Sequence, residues 1–207
     1  VIIATKFGVN WDANGRTYKD CSSRRIREAI EGSLRRLAVD CIPLYQIHWY
    51  DGVTPLHDII ETLDKSRQEG KIQHIGCTNL SIEFIRQLVS MGCRLETLQV
   101  EYNLLQREHE NTIRHCEEAG MGVIVYSVLA RGLFSGKYDT GCKFGKDDTR
   151  GQDKVFSIDA LHNNLALVQV LQKLAVKYVK TPSQIAIQLA IQKSHISSAI
   201  VGIKNAD

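Results

Sequence analysis

The stretch Val1-Ile2-Ile3-Ala4-Thr5-Lys6-Phe7-Gly8 is a short apolar run that carries one lysine and stops at a glycine. A run of this length bounded by a chain breaker is typical of a buried strand rather than a helix. A lysine at the end of a buried strand loses hydration unless a partner compensates it. Lys6 is therefore either a surface residue whose ammonium reaches water or a placed functional charge, and this stretch alone leaves both interpretations open.

The pattern of this first strand recurs along the chain, with helical patterns between the repeats. Further strands are predicted at residues 43–50, 72–80, 97–104, 122–129 and 197–203. Helices are predicted at residues 22–38, 55–69, 81–91, 108–119, 158–178 and 182–192, several of them beginning at a serine, threonine or proline. We expect residues 9–21 to be a loop and residues 130–157 to be the longest irregular segment.

Six strands that alternate with helices are typical of parallel βαβ units, which leaves two architectures. One is an open doubly wound sheet and the other is a (β/α)8 barrel. No G-x-G-x-x-G motif follows any of the strands, whereas polar residues concentrate where the strands end, as at the mouth of a barrel. We therefore predict a (β/α)8 TIM barrel as a single domain over residues 1–207, with six of its eight βα units present and incomplete at both ends.

The composition is that of an ordinary soluble globular protein, with 43% hydrophobic and 24% charged residues and a formal net charge of +3. This charge is too small to favour nucleic acid, and no apolar run is long enough to span a membrane. The six cysteines are too widely scattered for a disulfide framework or a metal site. We predict a cytoplasmic protein without a nucleic-acid, membrane or metal partner, and compatible with a homo-oligomer.

Lys6 and His48 end consecutive strands, where a lysine beside an imidazole suits an acid–base pair. The alternative for His48 is a core histidine bonded to the backbone. Thr78, Asn79 and Gln99 follow at the next two strand ends, where amides could pair with a ligand amide or merely cap turns.

The later strand ends carry groups suited to a flat ring and to phosphates. Tyr126 could stack on a heterocycle, although an aromatic residue at a barrel mouth needs no ligand. Residues 131–137 combine glycines with Arg131 and Lys137, which suits a diphosphate. Gly202 and the two residues after Ile203 would lie near the usual phosphate site of a barrel. Together these groups describe a pocket for an amide-bearing ring with phosphates beyond it.

The chain resembles the aldo-keto reductases, an NADP(H)-dependent barrel family that binds its cofactor without a Rossmann fold. The residues that carry the resemblance cover the whole chain in order: Ala4-Thr5-Lys6-Phe7-Gly8, Leu44-Tyr45-Gln46-Ile47-His48, Gly76-Cys77-Thr78-Asn79-Leu80, Leu98-Gln99-Val100-Glu101-Tyr102-Asn103, Val125-Tyr126-Ser127-Val128-Leu129-Ala130-Arg131-Gly132-Leu133, Thr181-Pro182-Ser183-Gln184-Ile185-Ala186 and Val201-Gly202.

The resemblance implies reduction of a small aldehyde or ketone by hydride transfer from NADPH. Lys6 would lower the pKa of a catalytic tyrosine, and His48 would orient the substrate carbonyl. The nicotinamide carboxamide would bind Thr78, Asn79 and Gln99, and its ring would stack on Tyr126. The diphosphate would be wrapped by Ser127, Val128, Leu129, Ala130, Arg131, Gly132, Leu133 and Lys137. Gly202, Lys204 and Asn205 would lie near the adenosine 2′-phosphate, and Trp11 and Trp49 would line the substrate pocket.

The chain departs from the family pattern in several places. The tyrosine and aspartate of the family's catalytic tetrad lie upstream of Val1, Val128 stands where proline is common, and the helix after the last strand is absent beyond Asp207. Two alternatives to the enzyme therefore stay open. One is a cofactor-binding regulatory subunit that resembles the potassium-channel β-subunits, in which the histidine position is usually asparagine, so that His48 favours the enzyme. The other is a truncated, inactive form.

An intact-mass measurement tests the expectation that the barrel is incomplete in this sequence. Six strands cannot close a barrel without long unpaired edges, so we expect the intact protein to be well above 23.3 kDa. A mass equal to 23.3 kDa, together with aldehyde-dependent turnover, would contradict this account of the tetrad.

Overall fold

The computed structural model of the chain describes residues 1–192 and 195–203. Two compact units are present. The first comprises residues 1–99 and 112–123, and the second comprises residues 100–111 and the described residues from 124 onwards. The helices and strands of each unit are given below, and β5, α4 and β6 run across the division of the chain.

The first unit is a mostly parallel sheet covered by helices. In chain order its elements are β1 (Ala4–Trp11), β2 (Thr17–Asp20), α1 (Ser23–Leu37), β3 (Ile42–Ile47), α2 (Leu56–Gln68), β4 (Ile72–Thr78), α3 (Ile82–Ser90), β5 (Thr97–Glu101), α4 (Glu110–Glu118) and β6 (Gly122–Tyr126). The strand order is β2-β1-β3-β4-β5, in which β1, β3, β4 and β5 are parallel and β2 is antiparallel to β1.

The parallel register places alternate residues on opposite faces of the sheet. Lys6 lies opposite Gln46, which lies opposite Gly76, so these three residues share one face. Tyr45 and Ile75 pair on the other face, where they are fully buried. The apolar side of α1, including Ile26 and Ile30, and that of α2, including Ile59 and Leu63, are buried as well. The core of this unit therefore includes the residues that pair on the Tyr45 face of the sheet.

The second unit contains the end of β6, the long irregular segment, α5 (Ile158–Tyr178), α6 (Pro182–Ile191) and β7 (Ser198–Ala199). β6 and β7 pair in parallel, with Ile124 opposite Ser198. The irregular segment contains short 3₁₀ helices at Ala130–Ser135, Thr149–Gln152 and Lys154–Phe156. The core of the second unit includes Leu133, Phe134, Phe156, Leu171 and Ala186.

Most predicted helix starts are confirmed, because capping is a local property of the sequence. The Ser81 hydroxyl accepts a hydrogen bond from the backbone N–H of Phe84 at the start of α3. Thr181 and Gln184 form a complete capping box ahead of α6, with Pro182 at its first position. All six predicted parallel strands are present, although β7 spans only two residues.

The prediction of a loop over residues 9–21 is wrong. β1 extends to Trp11 and pairs with β2 in an antiparallel hairpin, from Gly8 opposite Asp20 to Trp11 opposite Thr17. The Asp12 carboxylate closes the turn by accepting from the backbone N–H groups of Asn14 and Arg16, at 2.8 and 2.9 Å. Most of the hairpin is exposed, so its sequence lacks the apolar alternation that reveals a half-buried strand.

Among residues 1–192 and 195–203, no helix has the length and apolar character that crossing a membrane requires.

The close packing around Gly76 leaves no room for a side chain and gives a stability prediction. A Cβ at this position would lie 2.2 Å from Oγ1 of Thr97 and 3.1 Å from Cγ of Gln46. We expect Gly76→Ala to lower the free energy of unfolding by about 2 kcal/mol, measured by denaturant titration, because overpacking displaces neighbouring side chains. Gly145→Ala is the control, since its Cβ would meet no atom within 4 Å. Equal losses in the two variants would contradict the packing argument.

Candidate active site

Lys6 and His48 line one cavity of about 250 Å³ in the first unit. β1 carries Lys6, and His48 follows the last residue of β3, where its backbone N–H donates to the carbonyl oxygen of Phe7 at 2.8 Å. Trp11, Arg25 and Arg36 are also among the lining residues. The structure therefore brings together three of the predicted site residues, Lys6, His48 and Trp11.

The cavity shifts both of its candidate acid–base groups towards their neutral forms. Burial lowers the pKa of Lys6 below its ordinary value, because the ammonium loses hydration. Burial also lowers the pKa of His48, and the positive charge of Lys6 lowers it further. Imidazole is thus the form of His48 at neutral pH, with one ring N–H that can donate a hydrogen bond.

Thr78 is the last residue of β4 and is followed by Asn79, and Gln99 lies opposite Thr78 in the middle of β5. The Thr78 hydroxyl donates to the backbone carbonyl oxygen of His48 at 2.6 Å, which ties the end of β4 to the end of β3. The backbone N–H of Asn79 donates to the carbonyl oxygen of Gln99 at 3.0 Å. Thr78 and Gln99 are both buried, at 1% and 5% exposure. Hydrogen bonds to neighbouring strands therefore fix the Thr78 side chain and the Asn79 backbone.

Asp51 fixes the segment that follows His48. Its carboxylate accepts from the backbone N–H groups of Cys21, Val53 and Thr54 and from the Thr54 hydroxyl, at distances of 2.6–3.1 Å. Burial alone would raise the pKa of Asp51, but these hydrogen bonds bring it below its ordinary value. Trp49, which lies between His48 and this anchor, is exposed and has the Lys19 ammonium 5.3 Å from its ring centroid.

In the second unit, Tyr126 ends β6 and Ser127 begins a tight turn. The buried side chain of Asn103 anchors this turn by donating from Nδ2 to the carbonyl oxygen of Ser127 at 3.0 Å. The Oδ1 atom of Asn103 accepts from the backbone N–H groups of Leu105 and Gln106, at 2.8 and 3.0 Å. The turn is therefore held by a side chain from the segment that follows β5.

The backbone after this turn adopts an uncommon conformation. Ala130, Arg131 and Gly132 follow one another with φ values of 46°, 56° and 91°, and Ser127 has a φ of 56°. The left-handed region suits glycine but costs about 1 kcal/mol or more for each other residue. Val128, Ala130 and Leu133 are buried, while Leu129 is half-buried. Such strain, where it is held by the surrounding core, is typical of ligand-binding loops.

The cations of this loop contact other side chains. Arg131 donates from Nε to the Asp153 carboxylate at 3.0 Å, and half of its side chain is exposed. The Lys137 ammonium lies 5.0 Å from the ring centroid of Tyr138.

Gly202 is exposed near the end of the chain. The predicted residues Lys204 and Asn205 lie outside the described residues.

Sequence reasoning missed three residues that contact predicted site residues or the segments beside them. In the first unit Gln46 bonds to Gln99 and Asp51 holds the segment after His48, and in the second unit Asp153 pairs with Arg131. Gln46 had a usable signal, because a glutamine two positions before His48 in an apolar strand falls on the same face as that histidine. Asp51 and Asp153 lie in irregular segments, where no periodicity indicates which group a carboxylate will meet.

Comparisons with known proteins agree with the predicted family. The aldo/keto reductase family model matches residues 1–207. The aldo-keto reductase YhdN of Bacillus subtilis is 32% identical over 206 residues, covering 99% of this chain and 62% of the relative. The Schizosaccharomyces pombe aldo-keto reductase yakc [NADP(+)] is 29% identical, covering 99% and 61%. The Escherichia coli NADH-specific methylglyoxal reductase is 29% identical, covering 98% and 65%.

A solved structure supports the fold class. Glycerol dehydrogenase AKR11B4 from Gluconobacter oxydans superimposes with a TM-score of 0.87 at 33% identity, covering 95% of this chain and 61% of that one. The mixed α/β fold with its parallel sheet thus matches a known aldo-keto reductase structure, and the predicted fold class is confirmed. The chain spans less than two thirds of the length of the curated relatives it matches.

The pKa of His48 is open to a direct test by NMR titration of its imidazole. We expect it to lie below the ordinary 6.5 and to rise in Lys6→Met, because that variant removes a positive charge beside the imidazolium. Since the unfolded chain binds more protons below pH 6.5, this histidine also makes folding less favourable as the pH falls. Lys65→Met, on the exposed face of α2, should leave the value unchanged. A wild-type pKa at or above 6.5 would contradict the burial argument.

Proposed function

We propose that this chain, which belongs to the aldo/keto reductase family, carries part of the active site of an NADPH-dependent reductase acting on a small aldehyde or ketone. The observation that carries the proposal is the pairing of Lys6 and His48 on one cavity, with the pKa of each lowered. Perturbed titratable groups that meet in a cavity are typical of acid–base sites.

Each member of the pair has a role that its environment suits. His48, as neutral imidazole, would donate its N–H to the carbonyl oxygen of the substrate and so orient it. Lys6 would stabilise the conjugate base of a neighbouring proton donor and thereby lower the donor's pKa. The family resemblance implies a tyrosine as this donor and an aspartate as the fourth group, and neither has a counterpart in residues 1–207. NADPH supplies the hydride when it is bound.

The first unit has side chains that fit a nicotinamide carboxamide. A carboxamide needs both an acceptor for its NH₂ group and a donor for its oxygen, which amide and hydroxyl side chains provide. Thr78, Asn79 and Gln99 offer these atoms, and hydrogen bonds hold each of them to a neighbouring strand or to the residue that follows it. This arrangement supports the assignment of all three as cofactor-binding residues.

In the second unit, the proposed roles are stacking and diphosphate binding. Tyr126 would stack on the nicotinamide ring, and the Ser127–Leu133 segment with Lys137 would bind the diphosphate through backbone N–H groups and cations. The ion pair of Arg131 with Asp153 is half-exposed and therefore weak, so it would not prevent Arg131 from binding phosphate. We propose NADPH over NADH on the positions of Gly202, Lys204 and Asn205 in the sequence after the last strand.

The remaining predictions stay proposals. They are that residues 1–207 are one domain, that the protein is cytoplasmic and that it is compatible with a homo-oligomer.

Trp11 and Trp49 are proposed to line the substrate pocket. Both indoles are exposed, and Trp11 lines the same cavity as Lys6 and His48. Exposed aromatic side chains beside a catalytic pair can accept the apolar part of a carbonyl substrate.

Lys6→Met tests the proposal in the intact protein. We expect wild type to oxidise NADPH in the presence of a generic aldehyde, faster than it oxidises NADH. The variant should lose about a thousandfold in turnover while still binding NADPH, because only the proton transfer depends on the ammonium. Turnover is followed by the absorbance of reduced nicotinamide, and binding is followed by its fluorescence.

Lys65→Met is the matched control, because it removes an exposed lysine from α2 and should keep wild-type turnover. Near-normal turnover in Lys6→Met would refute the role of Lys6. Tight NADPH binding without turnover in wild type would favour a regulatory subunit, and preference for NADH would refute the assignment to the residues after the last strand.

A further inference from the structure

We propose that Gln46 is a positioning residue for the cofactor, because it orients the Gln99 amide that would bind the nicotinamide carboxamide. This inference rests on the function proposed above. Gln46 is the penultimate residue of β3, and none of its surface is exposed. Its neighbours Tyr45 and Ile47 are also buried. A fully buried glutamine is uncommon, so its hydrogen bonds need an explanation.

The sheet register places the Gln46 side chain on the face of the sheet that also carries Lys6. Gln46 lies opposite Lys6 on β1 and opposite Gly76 on β4. Because Gly76 has no side chain, the Gln46 side chain can pass over β4 to reach β5. A Cβ on Gly76 would approach Cγ of Gln46 to 3.1 Å, which shows how closely the glutamine passes.

The contact across β4 is a hydrogen bond between two buried amides. Nε2 of Gln99 donates to Oε1 of Gln46 at 3.3 Å. An amide side chain has one oxygen acceptor and one NH₂ donor, so committing the NH₂ group of Gln99 to Gln46 presents its Oε1 to a ligand. Oε1 is the atom that a carboxamide NH₂ group requires. If the Gln99 amide were rotated by 180°, its NH₂ group would face the NH₂ group of the carboxamide, and two donors would meet.

Gln46 retains this role at a cost to folding. Its Nε2 atom has no hydrogen-bond partner among the described residues, although it is buried. A buried donor without an acceptor is unfavourable, and an apolar side chain of the same length would avoid that penalty. The glutamine is therefore better explained by what its Oε1 atom does for Gln99 than by packing.

A double-mutant cycle tests the proposal in the intact protein, with NADPH and adenosine 2′,5′-bisphosphate as ligands. The bisphosphate lacks the nicotinamide and should bind equally to all variants. Gln46→Met keeps the side-chain length, and we expect it to weaken NADPH about tenfold, as the loss of one well-placed hydrogen bond would. The double variant Gln46→Met/Gln99→Met should bind NADPH no more weakly than Gln99→Met alone, because Gln46 acts through Gln99.

Gln46→Glu provides a rescue, since a carboxyl group keeps an acceptor for Nε2 of Gln99 in either protonation state. We expect its NADPH affinity to lie within about twofold of wild type, which excludes a purely steric role. Unchanged NADPH affinity in Gln46→Met, additive losses in the double variant or equal weakening of both ligands would overturn the proposal. So would a Gln46→Glu variant as weak as Gln46→Met. Failure of wild type to bind NADPH would instead refute the proposed function.

Discussion

The parallel register of β1, β3 and β4 is the constraint on which the first unit depends. One register places Lys6, Gln46 and Gly76 on the same face, since alternate residues of a strand point to opposite sides. A slip by one residue would exchange the two faces and bury the wrong side chains against α1 and α2. The face that carries Lys6 and Gln46 holds a buried amide and a partly buried lysine, which do not themselves favour this register. Other contacts must therefore fix the register.

Packing on the opposite face supplies that fixation. Tyr45 stacks on Phe7 with ring centroids 5.3 Å apart, and Tyr45, Ile75 and Leu63 are fully buried. Burial of one large apolar side chain contributes about 1.5–3 kcal/mol, so residues such as Phe7, Leu63 and Ile75 together outweigh the cost of an unpaired amide donor on the polar face. The chemistry of one face thus depends on the apolar packing of the other.

Much of the fold could be predicted from local signals, and much of the site could not. Ser81 and Thr181 cap their helices because a hydroxyl needs only the next turn of the chain to accept a bond. The hairpin β1–β2 was missed because exposed strands lack an apolar alternation. The hydrogen-bond partners of Gln99 and Arg131 are Gln46 and Asp153, which lie 53 and 22 positions away along the chain. Only folding brings these residues together.

The left-handed run from Ala130 to Gly132 is held by contacts on both of its sides. Two of its three residues are not glycine, so the backbone is strained and would relax if its surroundings allowed. Asn103 fixes the preceding turn through the carbonyl oxygen of Ser127, and Ala130 and Leu133 are buried in the core of the second unit. Because both ends of the run are held, relaxation would require breaking a buried hydrogen bond or exposing apolar surface. The strained run is therefore held in place by hydrogen bonding and apolar packing within the second unit.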